Sequence, residues 1–256
     1  MGKLLTPGNM IEAHLNGDAL DKANIDNLTA LWTAMGATPL PDHAGVLACD
    51  RWPNRFWFPR EGALPAAESL KTLLRQLPAR AMVPVFAQDP ELEQGLRDAG
   101  YGVALEQQAM HLDLAHWQPA PAAGGLPLHR VRSADEAASW TEVCSAAFSY
   151  HIDAAVIEQL VRHPDASLWW AERNGEMVAT ALLFRTGVVT GIHMVGVPED
   201  FRGLGIARSL MQAVLTHCQA SGARYTTLQA SRMGEGLYRQ LGFEHRFQIA
   251  SFRRSI

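Results

Sequence analysis

The stretch Val195-Gly196-Val197-Pro198-Glu199-Asp200-Phe201-Arg202-Gly203-Leu204-Gly205-Ile206-Ala207-Arg208 reads as the end of a strand, a turn and the start of a helix. Its glycines let backbone N–H groups approach an anion without side-chain obstruction. The first-turn amides of the helix have no helical partner and sit at the positive end of its dipole. Arg202 and Arg208 add charge beside them. The segment is therefore a candidate pyrophosphate cradle. A P-loop would need Gly-Lys-Ser/Thr, which the chain lacks here. A dinucleotide fingerprint would need glycine where Arg208 stands and an acid near Tyr225, and the strand Arg224 to Ala230 has none.

Outward from this loop, strands and helices alternate. Leu128 to Arg132 reads as a short strand. Ser133 and Glu136 form a capping box that opens a helix to about Phe148. Ala154 to Val161 is a second helix, stopped before Pro164. Leu168 to Glu172 and Met177 to Arg185 are strands about an Asn174-Gly175 hairpin turn. Val188 to Val197 is the next strand, and its alternation puts Gly191, His193, Val195 and Val197 on one face. Leu204 to Ala220 has helical apolar spacing and ends at Gly222. Ala223 to Ala230 is a strand, Ser231 stands at a helix N-cap position, and that helix ends at Leu241-Gly242-Phe243.

The first half shows the same pattern. Ala81 to Ala87 reads as a strand, Asp89-Pro90 as an N-cap with proline at N1, and Ala99-Gly100-Tyr101 as the helix end. Val103 to Leu114 is a further strand. Gly242 and Gly100 lie 142 positions apart, and so do Ser231 and Asp89. A strand, cap, helix, glycine-aromatic and strand in fixed register point to a duplicated unit. Between the halves, Gln118-Pro119-Ala120-Pro121-Ala122-Ala123-Gly124-Gly125 reads as a linker.

Two motifs give the second half a resemblance. Arg202-Gly203-Leu204-Gly205-Ile206-Ala207 is similar to the Gln/Arg-x-x-Gly-x-Gly/Ala signature of the GCN5-related N-acetyltransferases. Gly236-Leu237-Tyr238-Arg239-Gln240-Leu241-Gly242-Phe243 resembles their Leu-Tyr-x-x-x-Gly-Phe signature. The resemblance implies an α/β fold of tandem domains, each a mixed, mostly antiparallel sheet flanked by helices. Residues 1–118 would be a degenerate copy without the cofactor motif, 119–125 the linker and 126–256 the acetyltransferase domain. By the 142 offset, Leu96 stands where Tyr238 stands in the second half. The aromatic run Arg51-Trp52-Pro53-Asn54-Arg55-Phe56-Trp57-Phe58 would form a cleft wall or pack beneath a loop.

The resemblance also implies direct transfer from acetyl-CoA to a primary amine of a small molecule or peptide. The backbone of Val195, Gly196 and Val197 would serve the pantetheine amides and polarise the thioester carbonyl. Arg202, Gly203, Leu204, Gly205, Ile206, Ala207 and Arg208 would hold the pyrophosphate, and Ser231 would cap its helix or touch pantetheine. Tyr238 would protonate the leaving thiolate. His193 would be the general base, ahead of Glu199, Asp200 and His151. Ser231 and Gly234 depart from the Asn and Ala common in the family. The segment after Phe243 is short, so the last strand of the fold is expected to be truncated or supplied from elsewhere. The competing reading is a non-catalytic acyl-CoA-binding or regulatory module.

Bulk properties narrow the classes. A net charge of −4 with no long run of one sign argues against broad nucleic-acid binding. Three scattered cysteines fit neither a disulfide framework nor a zinc site, so no metal is expected and the compartment reads as reducing. Without a bilayer-length apolar stretch or a signal-peptide core, the expectation is a soluble cytoplasmic protein with no membrane partner, in which a homodimer is allowed for.

Overall fold

The computed structural model describes residues 15–41, 45–49, 51–59, 63–119 and 125–255. Helix α1 (Gly17–Ala34) opens it, capped by Asn16, whose side chain accepts from the Ala19 amide. Its apolar residues Leu28, Leu31, Trp32 and Met35 follow helical spacing, and all are buried. A small antiparallel sheet follows, made of β1 (Thr38–Pro39), β2 (Leu47–Ala48) and β3 (Phe56–Trp57). Then come α2 (Ala67–Gln76), β4 (Met82–Phe86), α3 (Pro90–Asp98) and β5 (Tyr101–Asp113). Asp89 caps α3 as the sequence predicts, accepting from Leu92 N–H at 3.0 Å.

The second half begins with β6 (Leu128–Arg130), α4 (Ala134–Phe148) and α5 (Ala154–Val161). The Ser133–Glu136 capping box is present in both directions. β7 (Ala166–Arg173) and β8 (Glu176–Thr186) flank Asn174 and Gly175, both at positive φ. β9 (Val189–Gly196), α6 (Ile206–Ala220), β10 (Tyr225–Ala230), α7 (Glu235–Gln240) and β11 (Glu244–Arg254) complete it. The predicted cap at Ser231 is displaced. Helix α7 starts three residues later with Gly234 at its N-cap, while Ser231 accepts the Gly234 amide in a preceding turn. The linker expected at 119–125 lies mostly outside the described residues.

The class is α/β, with a mixed and mostly antiparallel sheet flanked by helices. Both halves contribute to a single eight-stranded sheet of order β4-β11-β5-β10-β9-β8-β7-β6. Each neighbouring pair is antiparallel except β9 and β10. A parallel pair needs a crossover, and α6 supplies it. The two halves exchange strands at the centre. First-half β5 inserts between β11 and β10, and second-half β11 inserts between β4 and β5. The short tail thus proves to be an 11-residue strand, and the place beside β10 is filled from elsewhere in the chain.

Burial divides the helices between the faces. Ile25 and Leu31 of α1 pack with Trp140 of α4 and Ile157 of α5 on one face. Leu210, Met211 and Val214 of α6 pack with Leu241 and Phe243 on the other. Leu73 of α2 and Leu96 of α3 cover β4 and the far end of β11. Among the described residues no helix is long and apolar enough to cross a membrane.

Candidate active site

Strands β9 and β10 pair only at Tyr225↔Val189, Thr226↔Thr190 and Thr227↔Gly191. β9 continues to Gly196 and β10 to Ala230, so the two strands separate beyond Gly191 and Thr227. The opening lies in the middle of the sheet, where backbone N–H and C=O groups would otherwise be in a ladder. An extended ligand carrying amides can occupy such an opening as an extra strand.

A bulge shapes the β9 side. Met194 has φ 50°, its carbonyl accepts from Thr180 Oγ1 at 3.1 Å, and the β8 register shifts between Thr180 and Leu182. The extra residue breaks the predicted alternation. Gly191 and His193 face α1, whereas Val195 and Val197 pack with the α6 face. Gly196 closes the strand against α4, where an added Cβ would lie 2.8 Å from Ala147 Cβ and 3.1 Å from Phe148 Cε2.

The glycine loop lies just beyond. Gly203 and Gly205 have φ of 76° and 75°, and a Cβ at either would meet open space. Gly205 is the N-cap of α6 and offers no side chain. Ser209 N–H bonds the Gly205 carbonyl at 3.0 Å, so the amides before it, through Arg208, precede the helical ladder. Leu204 is exposed, Ile206 buried and Ala207 half-buried. The arginines serve differently than the sequence suggests. Arg202 donates to the Val197 carbonyl at 3.1 Å and the Ala147 carbonyl at 2.9 Å, which ties the loop to the negative end of α4. Arg208 donates to Gln240 at the end of α7. The loop therefore presents chiefly backbone, with Arg202 bracing it.

A cleft of about 260 Å³ opens at the parting strands. His193, Met194 and Val195 line it from β9; Leu228, Gln229 and Ser231 from the β10 side; and Tyr238 from α7. The first half supplies the facing wall through Trp32 of α1, Trp52, Pro53, Arg55 and Gln107. Trp52 and Arg55 belong to the aromatic run that the sequence marks, whereas α1 carries no comparable motif. The i, i+3, i+4 spacing of Leu28, Leu31, Trp32 and Met35 is the signal that would have found it.

Tyr238 is half-buried, its ring edge-on to Phe243 at 5.9 Å between centroids. Burial pushes its hydroxyl up to about 12, so it remains a proton donor at neutral pH. Gly234 allows the ring to sit close, since a Cβ there would lie 3.0 Å from Tyr238 Cε2.

His193 is buried, and its Nε2 lies 3.0 Å from Asn27 Oδ1 of α1. The Asn27 amide donates to the Phe184 carbonyl and to Thr186 Oγ1, so its oxygen faces the imidazole and His193 Nε2 carries the proton. Burial lowers the imidazole to about 4, against a smaller upward effect of hydrogen bonding with Gln229. Such a base is about six units weaker than an alkylamine. The imidazole is thus neutral at pH 7 and held against α1 by Asn27. Glu199, Asp200 and His151 are exposed and do not line the cleft.

Two expected results follow from this pair. A Cβ at Gly191 would lie 1.8 Å from Asn27 Oδ1 and 2.3 Å from His193 Nε2. Gly191→Ala is thus expected to cost about 2–4 kcal/mol in urea unfolding, through overpacking and the broken buried hydrogen bond. The pH dependence has a definite sign. The folded value of His193 lies below its ordinary 6.5, so the unfolded chain takes up the proton first. Stability is complete above pH 6.5 and falls as pH drops towards 4. His193→Gln should flatten that part of the curve by up to about 3 kcal/mol, and equal slopes for both proteins would refute the assignment.

Comparison with known proteins now adds to this geometry. The chain is similar to the structure of a GCN5-related N-acetyltransferase from Kribbella flavida at 18% identity, over 92% of this chain and 95% of that one, with a TM-score of 0.67. It is similar to a GCN5-related N-acetyltransferase from Sphaerobacter thermophilus at 21% identity, over 82% of this chain and 76% of that one, with a TM-score of 0.60. A tandem GNAT protein from the clavulanic acid biosynthesis pathway matches at 15% identity over 78% of this chain and 74% of its own, with a TM-score of 0.53. At these identities the likeness is one of fold. Residues 132–243, the part of the chain that carries the bulged strand, the glycine loop and Tyr238, match the family described as acetyltransferase (GNAT) family.

Proposed function

We propose that this protein transfers an acetyl group from acetyl-CoA to a primary amine of a small molecule or peptide. The observation that carries the reading is the parting of β9 and β10 beside a loop of free amides at Gly203 to Arg208. Acetyl-CoA, as co-substrate, would supply the thioester whose carbonyl carbon the amine attacks. The free backbone of β9 around Val195, Gly196 and Val197 suits the pantetheine amides and the thioester oxygen, where charge develops. The loop amides suit the pyrophosphate, held in shape by Arg202. Ser231 lines the pantetheine side of the cleft.

In this reading the amine nitrogen bonds to the acetyl carbon as the carbon–sulfur bond breaks. Tyr238 gives its proton to the departing sulfur, and the proton lost by nitrogen leaves through water and restores the phenol. His193 and Asn27 fix the wall against which the amine is placed. The first half, residues 1–118, is proposed to be a degenerate copy that builds the acceptor wall and binds no cofactor. Supporting this, α3 with Gly100 and β5 repeats α7 with Gly242 and β11, and Leu96 is a core residue where Tyr238 faces the cleft.

The test is a panel of amines incubated with acetyl-CoA and the full-length protein, read by free thiol and by the mass of the product. Thiol release matched by product acetylated on nitrogen supports the reading. Tight CoA binding without release from any amine would favour a binding module instead.

A further inference from the structure

Among the described residues that line the cleft, one carries a permanent charge. Arg55 reaches it from the first half, and no Asp or Glu is among the residues that line it. The residue is half-buried, and its Nε is closed off from solvent without an acceptor among the described residues. Its Nη1 points at the sulfur of Met82, 2.7 Å away, which is a weak acceptor. The plane of the group lies over Trp32, 5.6 Å from the ring centroid. No carboxylate of the described residues forms an ion pair with it. The titratable groups acting on it are Tyr150 and Cys49, and neither is a carboxylate. Burial lowers its pKa from the ordinary value, yet a guanidinium stays charged at any ordinary pH. A cation removed from water without a counter-charge is costly.

The backbone holds this arginine in place. The Cys49 amide donates to the Arg55 carbonyl at 2.8 Å, and the Met82 amide donates to the neighbouring Asn54 carbonyl at 2.8 Å. Trp32, Trp52, Phe148 and Tyr150 make the rest of the wall largely aromatic. An unmodified alkylamine or a polyamine enters such a cleft as a second cation and is repelled. An amine that also carries an anion supplies the missing partner, and a carboxylate matches the guanidinium fork.

We infer that Arg55 is a specificity residue which pairs with a carboxylate on the acceptor, so that the substrate is a small amine bearing a carboxylate on an apolar or aromatic body, the chemistry of an apolar amino acid. This rests on the acyl-transfer reading for its reaction, but the binding it requires is measurable without turnover. The aromatic lining beside Arg55 suits such a body.

The experiment compares matched pairs on the full-length protein: phenylalanine against 2-phenylethylamine, and leucine against isopentylamine. With acetyl-CoA, the carboxylate-bearing member is expected to be favoured in kcat/KM by about 10²-fold or more, as when a buried group is left unpaired by the lesser analogue. Arg55→Gln should erase that preference and leave CoA affinity unchanged, and Arg55→Lys should restore part of it. In parallel, calorimetry on the CoA-loaded protein should show phenylalanine binding to the natural chain and not to Arg55→Gln. If no amine releases thiol, the transfer reading fails, and the calorimetric preference still decides the role of Arg55. Equal use or equal binding of both members by the natural protein overturns the inference. So does binding of neither member, a preference that survives in a folded Arg55→Gln variant, or a loss confined to CoA. Should Arg55→Gln fail to fold, the matched pairs on the natural protein still decide between the two outcomes.

Discussion

Tyr238→Phe is expected to lower kcat by about 10²- to 10⁴-fold, the range for a positioned general acid. The ring should stay where it is, because its neighbours Phe243 and Gly234 touch carbon and not the hydroxyl. Affinity for acetyl-CoA and the midpoint of thermal unfolding should therefore barely move. The loss belongs to kcat, because the proton is needed only as the carbon–sulfur bond breaks. The burial that pushes the phenol up to about 12 also sets the pH behaviour. The group is protonated across the neutral range, so activity should not fall through its ionisation until strongly alkaline pH. Single-turnover rates measure the chemical step if product release limits the steady state. A Phe variant with an unimpaired chemical step would return Tyr238 to a packing role.

Gly205→Glu should largely abolish CoA binding, with Kd raised by about 10²-fold or more, since a like charge set against the pyrophosphate costs several kcal/mol. Two effects act together at this position. The residue has φ 75°, where a side chain costs about 1–2 kcal/mol of backbone strain. The new carboxylate would also be tethered at the N-terminus of α6, where it can compete for the loop amides. Gly205→Ala separates the two, because it carries the strain without the charge. Calorimetry with CoA, beside a melting curve to show that each variant is folded, gives the measurement. An unchanged affinity in folded Gly205→Glu would remove the loop from cofactor binding.

Much of the second half was legible because its signals are local. Ser133 with Glu136 and Asn174-Gly175 each report their own backbone, and the structure places each at the predicted cap or turn, while the helix read from Leu204 starts at Ile206 with Gly205 as its N-cap. The bulge at Met194 left no such mark. It arises where β9 meets β8 and passes Gly196 beneath α4, so it depends on residues from three elements. That non-local origin is why alternation placed Val195 on the face of His193. The role of His193 was hidden for the same reason. Its partner Asn27 lies 166 positions away on a helix without a motif. Arg202 shows a subtler failure. Its charge and position in the loop are plain from sequence, but its commitment to two carbonyls is set by the end of α4.

The exchange of β5 and β11 has a consequence for how such a chain can change over generations. A segment that packs only against itself is ordinarily free to be deleted. Here deletion of the first half would strip β10 of its neighbour on one side and leave β11 without either of its two partners. The second half would be left with long unpaired edges, which invite aggregation. Its cleft would also lose the wall formed by Trp32, Trp52 and Arg55. The half without the glycine signature is thus mechanically bound to the other, since the shared sheet and the cleft wall both need it.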